Sequence, residues 1–162
     1  MDEKQGDLEP IHSDISADEQ ALRKAAFHAI LAGEAIDRDG LVMATGFASE
    51  KVDALLDGLT ERGLVVVEPD SGRVVGIWGL SAVPTDHRLH IRGRELYTWC
   101  ALDAVGIPAG LGEDASIVSR CYQCGVPVNV EVSVGQVAHA VPPDVWLWVM
   151  ADVVGRSVVG FT

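Results

Sequence analysis

The stretch "GRELYTWCALDAVGIPAGLGEDASIVSRC", Gly93 to Cys121, contains two of the three cysteines of a 162-residue chain and sets an aspartate three residues after the first of them. Its pattern predicts a helix over Arg92 to Leu111, interrupted near Gly106 and Pro108, followed by a strand at "ASIVSRC". If Glu95 to Ala104 is helical, Cys100 and Asp103 lie at i and i+3 on one face, close enough to share a proton. A carboxylate beside a thiol can take its proton or return it, and the thiolate so formed is a soft nucleophile and metal ligand. The spacing alone is equally that of a buried cysteine one turn from a solvated aspartate.

Downstream, Tyr122 to Gly125 separates that strand from a second one, "VPVNVEVSV", and "VWLWVM" and "SVVGF" are further strand candidates. The separating turn gives Cys121-x-x-Cys124-Gly125, half of a zinc knuckle. A closed site needs four ligands, so Cys100 and the imidazoles of His87, His90 and His139 are the groups that could complete one. A reduced turn with one buried cysteine is the plain alternative, and the βαβ pattern of thioredoxin-like chains is missing.

Upstream, "HRLHI" predicts a short strand. Before it, Leu22, Ala25, Ala26, Ala29 and Ile30 recur at helical spacing with Gly33 as the stop, a short helix is expected over Asp39 to Ala44, and a third starts at Ser49 as N-cap. Two β-branched runs around Pro69-Asp70-Ser71-Gly72 read as a hairpin. Three helices and a hairpin predict a winged-helix-like module over residues 18–84, after an acidic, disordered tail over residues 1–17 and before a mixed α/β domain with a small sheet over residues 85–162. The fold class is α+β.

The charge of the chain, −12, repels phosphate backbones and anionic lipid. The third helix sets Lys51 and Arg62 against Glu50, Asp53, Asp57 and Glu61, where a DNA-reading helix needs a basic face. No nucleic-acid or membrane partner is expected, and a metal-sensing transcriptional regulator is disfavoured for the same reason. The opening residues lack a basic and apolar leader, so a cytoplasmic location is expected, where three cysteines favour free thiols or metal ligands over a disulfide framework.

The segment Gly93 to Cys121 resembles the signature of the organomercurial (alkylmercury) lyase family: an arginine, Leu-Tyr, then Trp-Cys-Ala-Leu-Asp, a proline five residues on, and a further cysteine after a β-rich stretch. "GVPVNVEVSVGQVAHAVPPD" is similar to the strand pair that follows it in the family, and the module from Asp18 to Leu80 matches a winged-helix-like domain upstream. The resemblance implies cleavage of a carbon–mercury bond, with Cys100 as the thiolate that binds mercury and Asp103 as the carrier of the proton delivered to carbon. It implies a structural role for Cys121. The family's second catalytic cysteine has no counterpart near Val158, Val159 and Gly160. Cys124 or a low-molecular-weight thiol is then the candidate second ligand.

The resemblance implies no required cofactor, with mercury as substrate and product. A protein that only binds a soft ion (Hg, Cu or Zn) among Cys100, Cys121 and Cys124 is the alternative on the same fold, and an enzyme using the same pair on another substrate is a third reading. Trp99, and less so Trp78, Trp146 and Trp148, are candidates to line an apolar pocket.

Overall fold

The structure is a computed structural model, and it describes residues 15–147. The N-terminal helices are α1 (Ala17–Leu31), α2 (Arg38–Thr45) and α3 (Ser49–Glu61). Helix α1 starts at Ala17, within the span expected as tail, because Ser16 and Glu19 form a reciprocal capping box. Asp37 caps α2 by accepting from Gly40 N at 2.9 Å. Helix α3 begins one residue earlier than the sequence suggests: Ala48 holds the N-cap position without a side-chain bond, and Ser49 is already helical.

Among the described residues eight strands and a fourth helix follow, in the order β1 (Val65–Val67), β2 (Val74–Ile77), β3 (Leu80–Ser81), β4 (His87–Ile91), β5 (Arg94–Thr98), α4 (Ala101–Leu111), β6 (Ala115–Arg120), β7 (Pro127–Ser133) and β8 (Gln136–Val141). The strands form one antiparallel sheet in the order β1-β2-β3-β5-β4-β6-β7-β8. The hairpin β1–β2 turns at the expected Asp70-Ser71-Gly72 segment. The sheet, however, does not divide near residue 84. Leu80 and Ser81 of β3 pair with Thr98 and Tyr97 of β5, so the strands before and after that position are joined, and the small sheet expected for the second half belongs to the larger one.

The helix expected over Glu95 to Ala104 is also corrected. Arg94–Thr98 is strand β5, paired with β4 over five residue pairs from His87↔Thr98 to Ile91↔Arg94. The cause is the two-residue turn between them: Arg92 (φ 54°) and Gly93 (φ 71°) both lie in the left-handed region, the requirement of a type I′ hairpin. Trp78-Gly79 between β2 and β3 and Val134-Gly135 between β7 and β8 repeat that geometry. Helix α4 then runs unbroken past Gly106 and Pro108. Proline removes one backbone hydrogen bond there, and burial of Ala104 and Pro108 in the packing of α4 on β4, β5 and β6 offsets the loss.

Helix α1 packs on α2, α3, β2 and β3, and the apolar side chains of both halves form a single cluster from Leu22, Ile30 and Leu59 through Ile77 and Leu80 to Leu89, Ile117 and Val132. Along β4 burial alternates, with His87, Leu89 and Ile91 inward and Arg88 and His90 outward. Of the later strand candidates, Val145, Trp146 and Leu147 are exposed and outside regular structure. Trp148 to Met150, the "SVVGF" stretch and Val158 to Gly160 lie outside the described residues, as does most of the expected tail. Among the described residues, no helix is long and apolar enough to cross a membrane.

Candidate functional site

Strand β5 ends at Thr98 and the chain turns into α4 through Trp99 and Cys100. Cys100 is the N-cap residue of α4 (φ −148°, ψ 170°), and its sulfur accepts from Asp103 N at 3.5 Å. In the other direction the thiol donates to Asp103 Oδ2 at 3.0 Å. The sulfur thus caps the helix in the manner of an N-cap hydroxyl, while the N3 carboxylate accepts from the thiol itself and not from the N-cap backbone N–H as in a capping box. Negative charge is well accommodated in the first turn of a helix, where free N–H groups point outward. The sequence thus placed Cys100 and Asp103 together correctly by spacing but for a different local reason, a cap instead of a helix face.

Burial pushes the Cys100 thiol up to about 11, and its hydrogen bond to Asp103 and the charge of that carboxylate push the same way. The resting pair therefore keeps its proton on sulfur, hydrogen-bonded to the oxygen that can receive it. Backbone contacts hold the pair in place. Trp99 N donates to Gly79 O at 2.8 Å, Thr98 Oγ1 to Cys100 O at 3.1 Å, and Thr85 Oγ1 to Thr98 O at 2.7 Å. Gly79, at φ 80°, lies directly under the carboxylate: a Cβ on it would stand 2.3 Å from Asp103 Cγ.

Beside the pair, His87 is buried opposite Thr98, and its Nδ1 is 3.0 Å from Ser119 Oγ on β6. Burial holds the imidazole below its ordinary range, while the charges of Asp86 and Asp103 oppose that shift. His87 entered the sequence reading only as an imidazole for a metal set; Ser119, Gly79 and Thr85 carried no signal there. Trp99 is buried and its Nε1 lies 3.1 Å from where a Cβ on Gly76 would be, so it packs across β2 as core. Trp78 stacks under the Arg23 guanidinium, 4.1 Å from its ring centre.

The three-thiolate set does not assemble. Cys121 and Cys124 sit in the β6–β7 connection, Cys121 half-buried and Cys124 exposed, and all three cysteines are free. Among the described residues no three or more His, Cys, Asp or Glu side chains are grouped to hold a metal ion. No such group joins Cys121 or Cys124 with Cys100 and Asp103, and none includes His90 or His139. The turn itself lowers the Cys121 thiol, through hydrogen bonds from Cys124 N–H and its side chain and from Gln123 N–H. A surface cleft of about 810 Å³ lies at the far end of the strands against Ile91, Gly93 and Ala115, and neither Cys100 nor Asp103 lines it.

The profile of the alkylmercury lyase family matches residues 80–159, from the first residue of β3 onward, a span containing the Cys100–Asp103 pair. An alkylmercury lyase of Bacillus cereus is 34% identical over 110 residues, which is 68% of this chain and 48% of that protein. One from Streptomyces lividans is 40% identical over 86 residues, 50% of this chain and 40% of that protein. The crystal structure of the mercury-bound form of MerB2 superposes with a TM-score of 0.74 at 32% identity, over 82% of this chain and 64% of that one.

The chain belongs to the alkylmercury lyase family.

The chain spans about half the length of the curated alkylmercury lyases it matches, 48% in the case of the Bacillus cereus protein. The fold class, α+β, is shared with the solved family structure.

Proposed function

We propose that the chain cleaves the carbon–mercury bond of organomercurials by protonolysis, with Cys100 as mercury ligand and Asp103 as proton carrier. The observation that carries this reading is the 3.0 Å bond from the Cys100 thiol to Asp103 Oδ2 at the start of α4. Mercury in R–Hg–X is a soft cation and seeks sulfur. As the S–Hg bond forms, X leaves and the thiol proton passes to the Asp103 oxygen already bonded to it. The resulting Cys100–S–Hg–R holds the carbon of R beside a protonated carboxyl. Transfer of that proton breaks the C–Hg bond, releases R–H and returns Asp103 to the carboxylate. A raised thiol pKa serves this cycle, because the enzyme starts with the proton it must deliver.

Mercury on one thiolate needs a second ligand to leave. Since Cys121 and Cys124 are not grouped with Cys100 and Asp103, that ligand is a low-molecular-weight thiol, which attacks mercury and gives its proton to Cys100. Turnover is therefore expected to depend on added monothiol. The test is benzene release from a phenylmercury salt, followed by gas chromatography. Wild type should exceed the thiol buffer alone, Cys100→Ser should match the buffer, and Asp103→Asn should fall by about a hundredfold or more, the usual weight of a positioned acid. Release by wild type at the buffer rate overturns the reading.

A further inference from the structure

The β6–β7 connection carries two thiols that this reaction does not use. Arg120 and Pro127 form the last rung of the strand pair, and the residues between them close on themselves: Cys121 N donates to Val126 O at 2.9 Å and Gly125 N to Cys121 O at 2.8 Å. Arg120 Nη1 adds a bond to Gly125 O at 3.4 Å. This closed turn places Cys121 and Cys124 three residues apart on one short loop, Cys121 half-buried and Cys124 exposed. Both thiols are free, and the turn that carries them is closed by backbone bonds at both its ends, so the pair is confined to one loop.

We propose that Cys121 and Cys124 form a second, two-coordinate thiolate site for a soft cation, and that its ligand is mercury(II). Two sulfurs without a third or fourth ligand among the described residues do not make a tetrahedral zinc centre. They do satisfy a soft closed-shell cation that accepts two thiolates in line. The proposal that the ion comes from the cleavage reaction rests on the function proposed above. The sheet supplies the geometry for it. His87 pairs with Thr98 on one side and bonds Ser119 on the other, so Cys100 and Cys121, each two residues further along, leave the same end of the sheet on either side of β4. Two strand spacings, roughly 10 Å, separate Thr98 from Ser119, the strand residues that precede them.

Delivery is a ligand exchange without redox change. A bis-thiolate complex RS–Hg–SR meets the two thiols; both original Hg–S bonds break, Cys121–S–Hg–S–Cys124 forms, each cysteine proton passes to a departing RS group, and two RSH are released. The second thiol of the pair binds intramolecularly, so the pair outcompetes monothiols that a lone cysteine would not.

The experiment uses the full chain carrying Cys100→Ser and inorganic mercury(II) supplied as its bis-cysteine complex, so that no cleavage is involved. After desalting against free cysteine, native mass spectrometry should find one mercury per chain with two protons displaced, and both Cys121 and Cys124 should resist alkylation. Adding Cys124→Ser, at an exposed position, should weaken retention by about a hundredfold. Equal retention in the double variant, or protection of only one thiol, overturns the proposal. Because the ion is supplied inorganic, a failure of benzene release by wild type leaves this result unaffected.

Discussion

Asp103 accepts the hydrogen bond of the Cys100 thiol and opposes the loss of its proton, and both effects are measurable one residue at a time. Burial and the adjacent carboxylate each penalise the charged thiolate, which is why the thiol stands at about 11 rather than at its ordinary value of 9.0. In Asp103→Asn the charge is gone and burial remains, so the pKa falls part of the way and the thiolate fraction at neutral pH rises, roughly tenfold for each unit recovered. Alkylation of Cys100, followed by peptide mass spectrometry, should accordingly be faster in Asp103→Asn while carbon–mercury cleavage is slower. A single variant that gains reactivity and loses turnover separates proton delivery from mere thiol activation. The same shift links to stability: a thiol with a raised folded pKa stabilises the fold below about pH 9, and that contribution is lost as pH rises toward 11. Wild type should lose more of its Tm across that window than Cys100→Ala. Gly79 is the second sensitive residue. Alanine there combines a left-handed backbone, costing about 1–2 kcal/mol, with a Cβ that collides with the Asp103 carboxyl, so Gly79→Ala should lower both Tm and benzene release.

At the scale of elements, the tight turns decided more than the periodicities did. The hairpin at Asp70-Ser71-Gly72 was legible because its turn residues are polar and flanked by β-branched runs. The hairpins at Trp78-Gly79, Arg92-Gly93 and Val134-Gly135 were not, since tryptophan, arginine and valine carry no turn signal and only the glycine hints at the positive φ. Missing the turn at Arg92-Gly93 converted β5 into a helix, although the Cys100-x-x-Asp103 spacing survived the error because an N-cap and its N3 residue are also three apart. The place of His87 and Ser119 beside the pair was not legible, because the register of β4 with β5 and β6 sets it and no local pattern encodes that register. Val134 is the costliest of the three left-handed residues, being β-branched at φ 50° and 76% exposed, so it gains no packing in return. Its backbone N–H, bonded to Asp114 Oδ1 at 2.7 Å, survives any substitution but proline. Val134→Asn should therefore stabilise the chain by about 1 kcal/mol, read as a higher midpoint in urea, without changing cleavage.

Across the whole molecule, the pairing of β3 with β5 ties the helical half to the chain end of β5 where Cys100 begins α4. Arg23 of α1 is buried with its Nε and Nη1 lacking hydrogen-bond partners, and it stacks on Trp78, the residue before the Gly79 on which Asp103 rests. Arg62 and Glu19 add an ion pair between α3 and α1. No linker with few crossing contacts separates the halves, and the apolar cluster runs from Leu22 to Val132 without a break. Independent unfolding of two modules would have to open β3 from β5 and expose that cluster on both sides, so the described residues should melt as one unit. Far-ultraviolet circular dichroism, weighted by α1–α3, and the burial of Cys100, reported by its alkylation during a urea titration, are expected to give superimposable transitions. Two separated midpoints, with the helices outlasting Cys100 burial or the reverse, would show that the sheet is continuous in hydrogen bonding but not in stability, and that the helical half does not support the site.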